Sequence, residues 1–564
     1  MLEALSYHHS ATAFLNSLLL EYQDVRISET EIIFPLSESL LIIIPLKKRS
    51  LLGRHNYQGE FFLKTADEKK EIKFKELITL ICDHLAIKLD ARPDQKSAFI
   101  KRVLNSADNI TQFLIKREDD LKNFFALQKN FKFSEQALLL GHAFHPTPKS
   151  RAEFNNEDAH KYSPEMRGSF PLEWILLDPK LFFQKTSTNF KEEDWLKEIF
   201  LKDMISQVEI NRGFIPYPLH PWQKKFLLEN EEIKKYIEDK KIIPLGSGKT
   251  IWYPTSSLRT LYADSIPYML KFSLNVKLTN SVRHLFLHEL ERGLQLHDVM
   301  THKQGQKFVQ ENPQFTVIHE PVFAGIKDRN GNPIQETLIM GRINPFQDES
   351  EAVVVATLTE INVFEERSLL SKYLEDSRLT QRAWFKEFLE VAIRPLLMAQ
   401  ANYGILLGSH QQNMILELKE NRPYKSYFRD CHGTGYSKLG FENFKNDIAS
   451  IDMSNGNVLM GDEANFLFGY YVIINSTFNV MAAIAENSSE KESELIQELR
   501  EFLLKLKERG LNDPAFIDYL LYNKTLMHKG NFFCSFRNIN ENTENSPLSI
   551  YTQIKNPLLE RSGL

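Results

Sequence analysis

The chain has 564 residues, which is too long for a single hydrophobic core and predicts about three or four structural units. Its 42% hydrophobic and 25% charged residues are typical of a soluble globular protein. The net charge of -5 at pH 7 excludes the basic field that non-specific nucleic-acid binding needs, so we expect no nucleic-acid partner.

The three cysteines, Cys82, Cys431 and Cys534, lie far apart in the sequence. This spacing excludes a disulfide framework and a cysteine-based zinc or iron–sulfur site, and it disfavours an iron–sulfur reductase. The N-terminus lacks a basic segment, and no apolar run reaches the roughly 18 residues that span a bilayer. We therefore predict a cytoplasmic protein that does not enter a membrane.

The pattern of apolar residues changes along the chain. The first 130 residues mix helices with short strands, among them two paired strands at 31–36 and 39–46. Strands and turns predominate in residues 131–370, and helical spacing predominates in residues 371–564. This organisation predicts an α+β protein with boundaries near residues 130 and 370.

Two proline-containing segments concentrate histidine and cationic side chains. Because proline prevents a regular helix, we expect shaped loops, and loops of this composition are good candidates for binding. The segments are GHAFHPTPKSR, with His142, His145, Lys149, Ser150 and Arg151, and IPYPLHPWQ, with His220 and Gln223.

The stretch IIPLGSGKT, residues 242–250, resembles the end of a nucleotide-binding P-loop. Such a loop needs a glycine five positions before the Gly-Lys pair, and that position holds Ile243. The next residues, 251–254, are β-like and end in proline, so a helix cannot follow directly. We therefore predict a glycine-rich hairpin turn here.

A β-hairpin is predicted around Asp264. If the turn centres on that residue, Ser257 lies opposite Lys271, and both share one face of the sheet with Arg259. A one-residue change of register would break this arrangement.

The residues after the hairpin, 279–281, offer an N-cap for a helix that would hold Arg283 in its first turn. A cation there opposes the helix dipole, which favours an anion bound nearby. Two arginines, a lysine and several hydroxyl groups would then face one pocket, as a triphosphate or a polycarboxylate requires. The alternative is a solvated, charged sheet face.

His284 and His288 are four residues apart on the same predicted helix, a spacing that suits zinc. A metalloprotease needs a glutamate directly after the first histidine, and residue 285 is leucine. A histidine pair without metal is therefore the favoured interpretation, and a zinc-dependent hydrolase is the alternative.

The C-terminal part begins with a predicted helix over residues 376–404, which has Trp384, Phe388 and Val391 on one face. We expect a kink at Pro395 and a C-terminal cap at Gly404. A second capped helix is predicted over residues 492–510.

Two strands, 413–418 and 424–430, are predicted to pair next to residues 410–413. Their pairing would bring His410, Gln412 and Asn413 beside Arg429 and Asp430. These groups could hold a hydrated Mg²⁺ and contact a phosphate, although a polar hairpin end without a ligand has the same composition.

Six motifs occur in the order GHAFHPTPKSR, PLHPWQ, SSLRT, KFSLNVKLTNSVR, HQQN and RD. Together they resemble the IucA/IucC family of NRPS-independent siderophore synthetases, from about residue 134 to at least residue 440. Each motif alone is weak, but six in this order are specific.

The resemblance implies a hand-like architecture with a thumb (1–130), β-rich fingers with an ATP-binding hairpin (131–370) and a mainly helical palm (371–564). It implies an enzyme that uses ATP and Mg²⁺ to adenylate a carboxylate, usually of citrate, with release of pyrophosphate. An amine, for which a diamine such as putrescine is a guess, then forms an amide. Homodimers are common in the family, and we expect one here.

The resemblance also implies roles for individual residues, with Arg283, His410 and Lys271 as catalytic groups. The groups assigned to the ATP phosphates are Ser257, Arg259, Thr260 and Lys271, and Arg283 is assigned to the substrate carboxylate. The phosphate and metal region would be lined by His410, Gln412 and Asn413, with Asp430 close to the metal or the ribose. The border of the nucleotide pocket would be formed by His145, Lys149, Ser150 and Arg151. Asn413 and Asp430 are the predicted Mg²⁺ ligands, and Gln412 and Asp430 also belong to the predicted ATP site.

This chain departs from the family at one position. Where the family often has Glu-Ala-His-x-Gln-Asn, the chain has Gly408 in place of the glutamate. If that glutamate holds the metal, other groups must compensate. Two alternatives therefore remain open: a late-step synthetase that acts on a monosubstituted citryl or succinyl intermediate, and a non-catalytic homologue that binds citrate and ATP.

Overall fold

The structure is a computed structural model of the whole chain. It describes residues 1–123, 130–151, 153–192, 194–203, 213–278, 281–346, 351–539 and 547–559. Helices and sheets are mixed along these ranges, so the α+β prediction is confirmed. The division at residues 130 and 370 stays a prediction.

The N-terminal part packs helices on one face of an antiparallel sheet. Its elements are α1 (Leu2–Leu19), β1 (Arg26–Ile27), β2 (Glu31–Pro35), β3 (Leu41–Lys48), β4 (Asn56–Tyr57), β5 (Phe61–Lys64), β6 (Lys69–Ile72), α2 (Phe74–Lys88), α3 (Pro93–Lys116) and α4 (Glu118–Lys122). The strand order is β1-β2-β3-β5-β6, with β4 beside β3, and the predicted pairing of β2 with β3 is confirmed. The core of this part also contains Phe532 and Phe536 from near the C-terminus.

The middle part contains two antiparallel sheets that share one aromatic-rich core. The sheet orders are β10-β7-β9 and β11-β12-β13-β18-β17-β8. The elements are α5 (Phe131–Gln136), α6 (Asn156–Tyr162), β7 (Glu173–Leu177), β8 (Phe182–Thr186), α7 (Trp195–Asp203), β9 (Ile215–Leu219), α8 (Pro221–Leu227), α9 (Glu231–Glu238), β10 (Ile242–Ser247), β11 (Tyr253–Pro254), β12 (Thr260–Tyr262), β13 (Tyr268–Phe272), β14 (Lys277–Leu278), β15 (Ser281–Val282), α10 (Leu287–Thr301), α11 (Lys303–Glu311), β16 (Phe315–Val317), β17 (Val322–Ile326), β18 (Ile339–Ile343), β19 (Ala352–Val354), α12 (Val355–Thr359), β20 (Ile361–Asn362), β21 (Arg367–Ser368) and α13 (Leu369–Ser377).

The C-terminal part is mainly helical. Its elements are α14 (Gln381–Phe388), α15 (Arg394–Met398), β22 (Ile405–Leu406), β23 (Met414–Lys419), β24 (Arg422–Phe428), β25 (Gly435–Tyr436), α16 (Lys438–Phe444), α17 (Asp462–Gly469), α18 (Phe478–Ala485), α19 (Ser489–Glu508), α20 (Ala515–Tyr522), β26 (Thr525–Lys529), α21 (Asn531–Arg537) and β27 (Tyr551–Lys555). A four-stranded sheet, β16-β24-β23-β19, joins this part to the middle part. Its hairpin β23–β24 confirms the predicted strand pair.

The helix predicted over residues 376–404 forms as α14 and α15 with two π-helical segments, Leu389–Ile393 and Ala399–Tyr403. The first of these lies directly before the predicted kink at Pro395, whose missing N–H interrupts the regular bonding pattern. Gly404 ends the helix with φ of 72°, as predicted.

The structure corrects the predicted helix after the β12–β13 hairpin. Ser281 and Val282 form the short strand β15, and α10 begins only at Leu287. Backbone bonds join Arg283 to Leu274 and Val276, so Arg283 lies in an extended segment and not in a first helical turn. The other two residues of the predicted N-cap, 279 and 280, lie outside the described residues.

The stretch 242–250 is not a P-loop, because β10 ends at Ser247 and the next element is the strand β11 and not a helix. The predicted hairpin turn is also wrong. This segment is a strand that pairs with the distant β7, with an irregularity between Pro244 and Gly246. A local glycine-rich pattern could not reveal a partner that lies about 70 residues earlier.

One helix, Asp462–Ala485, is long and apolar enough to cross a membrane by length and composition. However, 78% of its most apolar window is buried inside the protein. It comprises α17, a π-helical segment (Tyr470–Thr477) and α18, and it forms a wall of the site described below. We therefore interpret it as a core helix.

Candidate active site

A cavity of about 370 Å³ lies where the three parts of the chain meet. The hairpin β12–β13, the loop 141–151, the loop 408–413 and the C-terminal strand β26 all contribute to its wall. The lining residues that carry polar or charged groups are His142, His145, Lys149, Arg151, Ser256, Ser257, Arg259, Thr260, Arg283, Arg342, His410, Gln411, Gln412, Asn413, Arg429, Asp430, Tyr470, Tyr471, Asn475, Lys529 and Asn531. All residues that the resemblance assigned to the site are in this set except Ser150 and Lys271. His220 and Gln223 also lie outside the lining, and the expectation of a loop there is wrong, because this segment forms β9 and the start of α8, where proline is tolerated in the first helical turn.

The register of the β12–β13 hairpin differs from the prediction. Thr260, and not Ser257, lies opposite Lys271. The turn comprises residues 263–267, which moves the pairing by three positions and puts Ser257 in the loop before β12. Ser257 still lines the cavity, because its Oγ accepts the backbone N–H of Thr260 at 3.2 Å and so folds the loop back onto the strand.

Thr260 and Arg259 carry the features of an anion site. The Thr260 hydroxyl is buried and makes no hydrogen bond, although it borders the cavity. Arg259 is held by the carbonyl oxygens of Arg283 and His284, the nearer at 2.9 Å. A buried hydroxyl without a partner costs free energy unless a ligand satisfies it, so these groups suit a phosphate oxygen.

The loop 141–151 is held by a shared carboxylate. Glu165 contacts the ammonium group of Lys149 at 2.5 Å and both terminal nitrogens of Arg151 at 2.8 and 2.6 Å. Ser150 bonds to Asn105 and lies outside the cavity lining. The structure therefore gives this loop a rigid base, from which His145 reaches the cavity.

The loop 408–413 is held from two sides. Arg429 donates to the carbonyl oxygen of Gln412 at 3.1 and 2.8 Å, and Glu135 binds the guanidinium group of Arg429. Asn475, from the π-helical segment, accepts the N–H of Gln411 at 3.1 Å and contacts His142 at 3.3 Å. These bonds fix the loop at the two residues that directly follow His410.

The histidines of the cavity are neutral at physiological pH. Burial lowers the pKa of His410 to about 4, against the opposing effect of Asp430. Burial, with smaller effects of nearby cations, lowers the pKa of His145 to about 3. The Nε2 atom of His145 is buried without a hydrogen-bond partner, so it is available to a ligand.

Arg283 remains a cation in this environment. Burial, to which Arg259 adds, lowers the pKa of Arg283 to about 10, which is still well above physiological pH. Its Nη2 atom donates to the carbonyl oxygen of Leu278 at 3.0 Å, which orients the guanidinium group at the cavity wall.

Lys271 lies behind the cavity and contacts Asp430 at 2.5 Å. Burial alone would raise the pKa of Asp430, but Lys271 together with His432, Arg342 and Arg259 outweighs it and holds this pKa well below its usual range. Glu320 is buried between Lys271 and Arg342, with Arg342 at 2.5 Å. The geometry therefore gives Lys271 an indirect role, in which it holds Asp430 as a carboxylate.

The donor set near Asp430 fits a divalent cation. Asn413 and Asp430 both line the cavity and supply amide and carboxylate oxygens, the ligands that Mg²⁺ prefers. Glu320, Asp430 and His432 also have ligand atoms within 4.8 Å of one another. Arg342 binds Glu320 and Lys271 binds one oxygen of Asp430, and Asp430 is the member of this group that lines the cavity. The assignment of Asn413 and Asp430 as metal ligands stays a prediction.

The zinc hypothesis for His284 and His288 is not supported by the geometry. His284 precedes α10, so the two residues are not one turn apart on a helix. His284 instead contacts Asn275 at 2.8 Å, and His288 borders a separate surface cleft.

Gly408 lies directly against the loop that carries Asp430. A Cβ atom at position 408 would lie 2.8 Å from the carbonyl oxygen of Gly433. The space beside Gly408 is therefore filled by backbone, and this chain has no room for a longer side chain without moving that loop.

We expect Gly408→Ala to lower the free energy of unfolding by about 1–3 kcal/mol and to reduce activity, because overpacking displaces the Asp430 loop. Gly433→Ala is the matched control, since a Cβ at that position meets nothing within 4 Å. Urea unfolding of both variants measures the difference. Equal stability of the two variants would contradict the close packing described here.

Several lining residues escaped the sequence analysis, among them Ser256, Tyr470, Tyr471, Asn475, Lys529 and Asn531. Tyr470, Tyr471 and Asn475 lie in a long apolar helix, where a core position is the default interpretation. Lys529 lies more than 90 residues after the last motif. Only the hairpin β26–β27 brings it to the cavity.

The fold and the site define the class as an α+β protein with a deep cationic cavity that suits a polyanionic ligand. A sequence profile of the IucA / IucC family matches residues 130–360, and one described as "Ferric iron reductase FhuF-like transporter" matches residues 382–544. The second match brings no cysteine cluster, because the two cysteines in its range, Cys431 and Cys534, are buried thiols that lie about 100 residues apart in the chain.

Similar proteins cover nearly the whole chain. It is 38% identical to the N(2)-citryl-N(6)-acetyl-N(6)-hydroxylysine synthase of Vibrio mimicus, over 97% of this chain and 95% of the relative. It is 31% identical to the synthase of the same name from Escherichia coli, over 97% of each. The solved structure of ATP-bound aerobactin synthetase IucA from a hypervirulent pathotype of Klebsiella pneumoniae superposes with a TM-score of 0.92 at 30% identity, over 98% of this chain and 100% of that one. The chain belongs to the IucA/IucC family of siderophore synthetases.

Proposed function

We propose that the protein is an ATP-dependent ligase that adenylates a carboxylate of citrate and joins it to an amine, with release of AMP and pyrophosphate. The observation that carries the proposal is the cavity, whose described lining has seven cationic side chains and one carboxylate. Carboxylates outside the lining bind four of these cations, so Arg259 and Arg283 are the cations next to the Thr260 hydroxyl on which the proposal mainly depends. ATP and citrate together are strongly anionic, and only a cationic site can bring them into contact.

In the first step, a carboxylate oxygen of citrate attacks the α-phosphorus and pyrophosphate leaves. Ser257, Arg259 and Thr260 would bind the phosphates, and Arg283 would lie between the α-phosphate and citrate. Its charge would offset the repulsion between the two anions and stabilise the charge that builds up at phosphorus. Mg²⁺, held by Asn413 and Asp430, would screen the phosphate charge.

In the second step, the amine nitrogen attacks the activated acyl carbon, the amide bond forms and AMP leaves with the electrons of the broken bond. This step needs mainly correct positioning of the amine and a proton acceptor. His410, whose neutral imidazole lies on the fixed loop 408–413, would orient the reacting groups.

The amine is the finer part of the proposal. The synthases of Vibrio mimicus and Escherichia coli are named for a citryl group on N2 of a lysine derivative. We therefore propose a lysine-derived amine for this chain in place of the diamine guessed from the sequence. A cytoplasmic location is part of the same proposal, because ATP is supplied there.

Pyrophosphate release from the purified protein with ATP, Mg²⁺ and single carboxylates tests the function, with hydroxylamine as a small acceptor. We expect release with citrate and none with succinate or 2-oxoglutarate. Release only with a citryl monoamide would make the protein a late-step synthetase. ATP binding without release on any carboxylate would favour the non-catalytic alternative.

A further inference from the structure

A second cavity, of about 140 Å³, lies behind the loops of the candidate active site. The residues that line both cavities, and so separate them, are Gly141, His142, Pro148, Ala356 and Gln411. Glu360 belongs to the described lining of the second cavity and not to that of the first. Its carboxylate can therefore influence a ligand in the first cavity only through the loops between them.

Three successive backbone N–H groups converge on the carboxylate of Glu360. Its Oε1 atom accepts from Leu139 at 2.5 Å, and its Oε2 atom accepts from Leu140 at 2.9 Å and from Gly141 at 3.0 Å. A turn of the backbone at Gly141, with φ of 83°, accompanies this arrangement, and successive N–H groups in such a turn form a concave site for an anion. Glu360 therefore fixes the start of the loop 141–151.

The carbonyl side of the same segment is held by Lys149, from the other end of the loop. The ammonium group of Lys149 donates to the carbonyl oxygen of Leu138 at 2.6 Å, and Glu165 holds that ammonium group in turn. The base of the loop is thus closed on itself by Lys149. The bonds to Glu360 then join this closed base to a different part of the fold.

That part of the fold is the short helix α12, which Glu360 directly follows. The same helix is bonded to the loop 408–413. The N–H of Ala356 donates to the carbonyl oxygen of Gln411 at 3.0 Å, and the hydroxyl group of Thr359 donates to the Oε1 atom of Gln411 at 3.4 Å. One helix therefore determines how the two loops lie relative to each other.

The three N–H bonds need Glu360 as a carboxylate. Burial raises its pKa from 4.5 to about 7, although Lys149 and the three N–H groups oppose this effect. Above about pH 7 both oxygens accept, whereas a carboxylic acid or an amide presents a donor to one of the N–H groups. Because the folded protein holds this proton to a higher pH than the unfolded chain, ionisation of Glu360 costs stability. Stability alone does not explain a carboxylate here.

We propose that Glu360 is a positioning residue of the ligase, which sets the loop that carries His142 and His145 against the loop that carries His410. The proposal rests on the proposed function and concerns a residue that lies in none of the six motifs. We expect its effect on kcat and not on substrate affinity, because Arg259 and Arg283 lie on other elements.

The test uses Glu360→Gln, which keeps the size of the side chain and removes one acceptor oxygen. The matched control is Glu365→Gln, the same change at an exposed glutamate five residues later. Citrate-dependent pyrophosphate release with hydroxylamine, urea unfolding and hydrogen exchange of the ligand-free protein are measured at a pH of about 8.5, where Glu360 is ionised.

We expect Glu360→Gln to lower kcat about 10-fold or more, while KM for ATP and for citrate stays within about 2-fold, because a misplaced loop reduces productive geometry. Amide hydrogens of residues 139–145 should exchange at least about 10-fold faster. Those of residues 410–413 should exchange as in the wild type, since Arg429 and Asn475 still hold that loop. The urea midpoint should not fall, because a buried charge is removed. Glu365→Gln should match the wild type throughout.

Three results with an active wild type would overturn the proposal. They are unchanged exchange of residues 139–145 in Glu360→Gln, a rise in KM for ATP or citrate without a fall in kcat, and a lower urea midpoint or failure to fold, which would make Glu360 a purely structural residue. Absence of pyrophosphate release from the wild type with every carboxylate would instead refute the proposed function, and the exchange measurement distinguishes the two cases because it needs no turnover.

Discussion

Arg283→Ala is expected to reduce citrate-dependent pyrophosphate release on the order of 1,000-fold while the protein stays folded. The guanidinium group lies at the cavity wall and remains charged despite burial, and in the proposed first step it would lie between the two anions. Loss of this charge leaves the carboxylate and the α-phosphate unscreened. The measurement is the initial rate of pyrophosphate release at saturating ATP and citrate.

Two further variants make the Arg283 result specific. Arg283→Lys keeps a cation but loses the planar fork of donors, and we expect it to recover only part of the activity. Arg292→Ala removes another arginine, on helix α10 beside a different cleft, and should retain wild-type activity. Normal pyrophosphate release by Arg283→Ala would rule out the assigned role.

Lys271→Met is expected to lower the free energy of unfolding by about 3 kcal/mol and to reduce adenylation about 100-fold or more. The substitution leaves the carboxylates of Asp430 and Glu320 without the ammonium group between them. Urea unfolding and pyrophosphate release measure the two effects separately.

A double-mutant cycle separates an indirect from a direct role of Lys271. Because Lys271 holds Asp430, the double variant Lys271→Met, Asp430→Asn should regain much of the lost stability, since the uncompensated carboxylate is gone. Its activity should remain low. If Lys271 instead bound the phosphates directly, ATP affinity would fall in Lys271→Met and Asp430→Asn would not change the stability of that variant.

Pairing errors in the sequence analysis have a common physical cause. The prediction centres the turn between β12 and β13 on Asp264 and pairs Ser257 with Lys271. In the structure the connection comprises the five residues 263–267, and Thr260 is the residue that pairs with Lys271. Strand register depends on which backbone groups find partners across the turn, and side-chain periodicity does not determine the turn length. Arg283 was misplaced for a similar reason, because its extended conformation is set by backbone bonds to residues 274 and 276.

Most of the cavity residues could nevertheless be named from their motifs. Loops with histidine, lysine and arginine, a strand pair that ends in Arg429 and Asp430, and hydroxyl groups before β12 are local patterns, and each lies at the cavity. Such patterns are visible because ligand-binding groups cluster on short loops. Their order along the chain also led to the family to which the protein belongs.

By itself, the sequence determined the mixed α+β character, the family and the chemical type of the site, because these depend on composition, periodicity and short motifs. Only the tertiary structure decided which charges are compensated and which line the cavity. Glu135 and Arg429, for example, are 294 positions apart in the chain, and Lys529 reaches the site through a C-terminal hairpin. Contacts over such separations arise from the packing of whole elements, and no local pattern encodes them.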